Sequence, residues 1–184
     1  MVMKKAEVYI LFVALAILTA GLYGAVHNQI SYTISPEYFI KFKFWQFKLN
    51  DSSLTERFRA SLVGFLAAWW MGIPLGLLVG AAGFIHSNPR HMLWVSLWSL
   101  LVTTGFTLLF GFGGLLYGFF KTKHIDLADY AEWYIPENVD NLRKYLCAGY
   151  MHNSSYIGGG LAIFVGWVFH AVVKFRTKKD TFPT

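Results

Sequence analysis

The chain has 184 residues, 55% of them hydrophobic and 18% aromatic, with Asp, Glu, Lys and Arg together at 14% and a formal net charge of +6. Soluble domains carry about 25% charged residues, so there is too little polar side chain to cover a water-soluble globule, and too much apolar and aromatic mass for a disordered chain. The single cysteine, Cys147, excludes an internal disulfide.

The apolar residues come in blocks. Val8–Val26, Ala60–Ile85, Met92–Phe119 and Ser155–Val173 contain no Asp, Glu, Lys or Arg, over 19, 26, 28 and 19 residues. A bilayer core takes about 20 apolar residues of helix, and in lipid the backbone must satisfy its own hydrogen bonds. None of the four alternates as barrel strands do. The prediction is an all-α membrane protein: a single integral domain over 1–184, built as a compact four-helix transmembrane bundle. Its helices are expected at about 8–26, 60–85, 92–119 and 155–173, with outer loops at about 27–59 and 120–154 and a cytoplasmic hairpin at 86–91. The two outer loops are expected to be ordered and to carry short surface helices.

The first run follows Lys4 and Lys5, like a signal peptide, but exceeds the usual 7–15 residues of such a segment. Its exit, Leu22-Tyr23-Gly24-Ala25-Val26, has no A-x-A site, so it is expected to stay as an anchor. Lys4, Lys5, Arg90, Lys174, Arg176, Lys178 and Lys179 fall on the side that holds both termini. Their density beside the helix ends puts that side in the cytoplasm.

Helix one ends in a polar rim of His27, Asn28, Gln29, Tyr32, Ser35, Pro36, Glu37 and Tyr38. Rings alternate with lysines from Tyr38 to Lys48, a pattern expected to lie along lipid headgroups. Because the segment is extracytoplasmic, no nucleic-acid partner is expected. Ser53-Leu54-Thr55-Glu56 has the pattern of a capping box before helix two, and Pro74 should kink that helix.

Small residues recur at four-residue spacing, as helices that approach closely in lipid require. They are Ala16, Ala20 and Gly24; Gly72, Gly76 and Gly80; Thr103, Thr107 and Gly111; and Gly158, Ala162 and Gly166. Tight packing leaves little lumen, and no acidic or basic residue lies within a run, so a small-solute or lipid transporter is the third-ranked reading. His86 and His91 bracket the hairpin and His170 should point into the bundle; the histidines of the hairpin are expected to solvate headgroups.

In the second outer segment, Asp126, Asp129 and Glu132 suggest a short helix with an acidic edge, and Pro136 suits a helix first turn. Val139, Leu142, Leu146 and Tyr150 have helical spacing, so a surface helix should run into helix four. Cys147 reads as a packing residue. Asn50-Asp51-Ser52 and Asn153-Ser154-Ser155 fit the glycosylation pattern.

His152, with Asn153 beside it, precedes helix four. If helices one and four are neighbours, His27, Glu37 and His152, helped by Asp129 or Glu132, could form a metal or ligand site at the outer rim. Imidazole with oxygen ligands suits zinc, iron or copper, although no H-x-x-H, H-E-x-x-H or E-x-x-H spacing occurs. Glu37 or a histidine could act there as general base. Asn28, Gln29, Tyr32, Tyr38 and Asn153 would support the rim. No G-x-S-x-G occurs, so serine catalysis is not expected.

Tyr23-Gly24-Ala25-Val26-His27-Asn28-Gln29 followed by Ser35-Pro36-Glu37-Tyr38-Phe39 resembles a family of uncharacterised bacterial inner-membrane proteins. Its members carry Y-G-x-x-H-D-Q and then an E-Y-F triplet. Asn28 stands here in place of Asp. The resemblance covers about 17 residues and implies a bacterial inner-membrane location, but no activity. The leading expectation is therefore a non-enzymatic small subunit or accessory factor that presents its outer loops to the lipid bilayer, to a membrane-protein partner or to a second copy of itself.

Overall fold

The structure is a computed structural model that describes residues 3–50 and 53–179, without the side chains of residues 178 and 179. Helix makes up 83% of it, with no strand among the described residues. Four helices are long and apolar enough to cross a membrane: α1 Lys5–Ile34, α3 Glu56–Ile85, α4 Pro89–Lys121 and α5, which contains the span Leu142–Thr177 and runs as Leu142–Lys179. A short helical segment over 36–46, α2, passes from Pro36–Tyr38 through a π-turn at Phe39–Lys43 into Phe44–Gln46. The end of the bundle that holds α2 and residues 122–141 is the loop end; the end that holds the turn at 86–88 is the hairpin end.

The helices outrun the charge-free blocks, chiefly at the loop end. Helix α1 continues eight residues beyond Val26, and α5 begins at Leu142, not at Ser155. Several polar residues in these extensions, among them His27, Asn28, Gln29 and His152, find protein partners. Most of the segment expected as loop at 27–34 and 142–154 is therefore helix inside the bundle. The expected surface helix is the first part of α5; Arg143 and Lys144 stay exposed there, while Tyr145, Leu146, Cys147 and Ala148 are buried.

Helix starts follow local chemistry. Thr55 caps α3 by accepting from the Phe58 N–H, two residues later than the expected box at Ser53. Ser52 and Asp51, part of one glycosylation pattern, lie outside the described residues, as do the side chains of Lys178 and Lys179. The other pattern, at Asn153, sits within α5, where Ser155 belongs to the bundle interior. Asn88 caps α4 ahead of Pro89, a residue suited to the first helical turn. Asp126 caps the 3-10 turn Leu127–Tyr130, whereas Pro136 is not in a helix.

Pro74 acts one turn upstream of itself. It has no N–H to offer the Trp70 carbonyl, and the chain tightens into a 3-10 turn at Trp69–Met71, where the Gly72 N–H reaches both Trp69 and Trp70 carbonyls. This divides α3. Its 72–82 half packs on α1 and on α5; its 56–68 half packs on α1 without an extended contact to α5.

Small side chains face inward and large apolar ones outward, as close packing in lipid requires. A Cβ on Gly72 would strike the backbone of Ala16 and Ile17, one on Gly76 would press on Val13 and Ala16, and one on Gly80 would meet Phe12 and Tyr9. Gly158 lies against Phe110 and Gly166 against Val79, and Ala162 is fully buried. Ile10, Leu18, Leu22 and Val26 form an exposed stripe on α1. At the loop end the rings of Tyr38, Phe39, Phe44 and Tyr145 make a buried cluster. Apart from the exposed Trp45, the rings of α2 thus turn toward the protein. Its lysines bind protein partners: Lys41 reaches Glu37, the Asn138 carbonyl and Asp140, and Lys43 reaches Gln46 and lies over Phe42.

Candidate functional site

Two histidines expected at the rim meet within the bundle. His27 on α1 and His152 on α5 are both buried, with ring centroids 4.8 Å apart in an edge-to-face contact. Tyr38 stacks on His152 at 5.0 Å. Ser31, one turn beyond His27, places its Oγ 3.1 Å from His152 Nε2.

The side-chain partners of His27 favour one tautomer. Asn28 donates its amide N–H to the Ala60 carbonyl at 3.0 Å, which turns its Oδ1 toward His27 Nδ1 at 3.4 Å. This arrangement suits a proton on Nδ1, which leaves Nε2 as the acceptor. Ser155 Oγ lies 3.0 Å from that Nε2 and donates to it, while the Tyr23 hydroxyl donates to Ser155 Oγ at 3.2 Å. Gly111 on α4 makes room for this: a Cβ there would collide with Ser155 Oγ.

These groups close one end of a cavity of about 90 Å³ between α1, α3, α4 and α5. Its polar end is Tyr23, His27, Asn28, His152 and Ser155; its body is lined by Ala16, Ala20, Ala67, Met71, Leu75 and Leu100, with Thr19, Thr104 and Thr107, of which Thr104 and Thr107 donate their hydroxyls back to the Leu100 and Thr103 carbonyls. No charged residue lines it. It reaches the space between the 56–68 half of α3 and α5, where those helices lack an extended contact. Small-residue packing was expected to leave little lumen, and this small cavity lies where α3, interrupted at Trp69–Met71, follows α1 and leaves α5 uncovered.

Glu37 does not join the histidines. Its carboxylate accepts from the backbone N–H groups of Asp140 and Asn141 at 3.0 and 2.9 Å and pairs with Lys41. Asn141 in turn caps α5 by accepting from Lys144 N–H. Burial by itself raises the Glu37 pKa, but the hydrogen bonds from Lys41, Asp140 and Asn141 outweigh it and hold the group at about 2. Asp129 pairs with Lys121 on the surface, and Glu132 is exposed. Among the described residues no three His, Cys, Asp or Glu side chains gather closely enough to hold a metal. The expected rim site of His27, Glu37 and His152 with acidic helpers is thus divided: the histidines converge and the carboxylates serve the fold.

The supporting residues divide in the same way. Gln29 bridges α1 to α3 through the Arg57 carbonyl and Ser61 Oγ, both at 2.7 Å, and Tyr32 donates to Glu56. Asn153 is exposed. Tyr23, Ser31, Thr107, Gly111 and Ser155 belong to the site but were not singled out for it. The i, i+4 series Tyr23, His27 and Ser31 on α1, and the pair Thr107 and Gly111 on α4, carried a local signal of a shared face.

A second histidine pair occupies the hairpin end. His86 Nε2 and His170 Nδ1 are 2.9 Å apart, both residues are buried, and the His91 ring sits 4.9 Å from that of His86. This corrects the expectation that the hairpin histidines face headgroups. Burial first, then the nearby His170, His91, Lys174 and Lys5 charges, lower His86 to about 4.

No protein-family model, curated protein or solved structure matches this chain.

Proposed function

We propose that this protein is a membrane-embedded binding protein for a neutral, slender lipophilic molecule with a carbonyl or hydroxyl end, which it takes from the outer leaflet. One observation carries the reading: the cavity carries no charge, its body is lined mainly by Ala, Met and Leu side chains with three threonines, and its polar groups gather where Tyr23, His27, Asn28, His152 and Ser155 converge. A charged ligand would be left unpaired there. The volume is well below the roughly 300–1,000 Å³ of drug-sized pockets, which suits a single chain. The lysine distribution supports placing both termini in the cytoplasm, and the motif at the end of α1 supports a bacterial inner membrane. On that orientation the loop end is extracytoplasmic.

The test is titration of the purified protein in nanodiscs with a pyrene-labelled fatty alcohol. Saturable one-to-one binding is expected, displaced by unlabelled dodecanol and abolished by Ala67→Phe, which fills the cavity. Linear partitioning alone, indifferent to Ala67→Phe, sinks the reading.

A second reading, an accessory subunit of a membrane complex, is favoured by the exposed Trp45, Leu127 and Tyr134 at the loop end. Crosslinking in native membranes that returns only the lone chain would count against it.

A further inference from the structure

Ser155, His27 and Asn28 are arranged as a nucleophile, a base and the group that orients the base. Ser155 Oγ is 3.0 Å from Nε2, Nδ1 faces the Asn28 amide oxygen, and that amide is anchored on the Ala60 carbonyl. Nucleophile and base within about 2.6–3.2 Å, with the base held by a third group, is the recurrent geometry of hydroxyl activation. It recurs on unrelated folds without a shared sequence motif, so the missing G-x-S-x-G carries no weight. Ser155 is only partly buried and lines the cavity, so a molecule seated there can reach its Oγ. Tyr23 places a hydroxyl 3.2 Å from the same oxygen.

We infer that Ser155 is the nucleophile of an esterase that acts on neutral lipophilic carboxylic esters inside the bundle, with His27 as general base and Tyr23 as oxyanion donor. This rests on the proposed binding cavity. As Ser155 Oγ bonds to the ester carbonyl carbon, its proton passes to His27 Nε2, and the carbonyl oxygen takes the negative charge beside the Tyr23 O–H. The intermediate collapses by breaking the bond from carbon to the alcohol oxygen, which leaves with the proton from His27. Water then attacks the acyl-Ser155 ester, gives one proton to His27, and releases the carboxylic acid as Ser155 regains its hydrogen. Ester and water become acid and alcohol, with no other reactant. Asn28 is a positioning residue that keeps the proton on Nδ1, so that Nε2 is free to accept.

The test treats the protein in nanodiscs with an alkyl fluorophosphonate, read by intact mass and peptide mapping, with pyrenyl-alcohol binding measured in parallel. One adduct on Ser155 is expected, absent in Ser155→Ala and slowed about 10²-fold or more in His27→Ala, the scale of general-base catalysis. Tyr23→Phe should slow it by roughly 10²-fold, as loss of one oxyanion donor does. Asn28→Ala should slow it too, and the ¹⁵N shifts of His27 should change from a single Nδ1-protonated form to a mixture, which a purely structural role would not cause. If the folded protein binds the alcohol but gains no adduct, or an adduct only on another residue, the esterase inference is overturned and the binding reading stands. If neither occurs, both fall.

Discussion

Gly24 and Gly64 face each other across α1 and α3 so closely that a Cβ on either would run into the carbonyl oxygen of the other. This contact brings Asn28, one turn along α1, within reach of the Ala60 carbonyl, one turn back along α3. Orientation of His27 therefore depends on two hydrogen atoms standing where side chains would be.

Gly24→Val should separate these helices. Overpacking of this kind costs about 1–3 kcal/mol, or roughly 3–10 °C in Tm for a chain of this size. Thermal unfolding in mild detergent checks this, and a melting curve unchanged from the parent would contradict the close approach.

Gly111→Ala should act on the site more than on the fold. Its methyl group would come within 2.4 Å of Ser155 Oγ, and rotation of Ser155 away from it breaks the bond to His27. Binding of the pyrenyl alcohol should weaken several-fold while the helical circular dichroism spectrum is retained. Parent-level binding would remove Gly111 from the account of the site.

Glu37 ties α2 to the start of α5, so Glu37→Ala should cost about 1–2 kcal/mol, the scale of a lost helix cap. Its folded pKa of about 2 lies below its ordinary 4.5. The stabilisation is fully present above pH 4.5 and is lost as pH falls toward about 2. The Tm difference between parent and Glu37→Ala should accordingly narrow from pH 6 to pH 3. A constant difference would show that the carboxylate charge is not involved.

His86 predicts acid sensitivity in a higher window. Its folded pKa of about 4 lies below its ordinary 6.5, so the neutral residue supports the fold above pH 6.5 and that support fades as pH falls through 4. His86→Gln should give a flatter dependence of Tm on pH between 6.5 and 4. Equal slopes for parent and variant would exclude His86 as the titrating group.

The spans were legible because exclusion of charge is a property of a run, visible without knowing its neighbours. The helix ends were not. His27 and Asn28 look like a terminus when read locally; only their bonds to Ser155 and Ala60 keep them helical and buried. The same limit hid the site, since His27 and Ser155 are 128 positions apart and share no spacing. Glu37 drew attention as a carboxylate near histidines, but two backbone N–H groups about a hundred residues away claim it. Pro74 was visible as a kink, whereas the cleft beside it depends on which neighbour the two halves of α3 follow.

Helix α5 runs without interruption from Leu142 to Lys179 and bears both His152 and His170. They are 18 residues apart, which at 100° per residue is five whole turns and about 27 Å. Their rings therefore project in the same direction, one to His27 and the other to His86. The helix is in this sense phased at two points, like a screw engaged by two nuts. Adding or deleting one residue between them would leave the span as apolar as before, yet would turn one histidine away from its partner by about 100°.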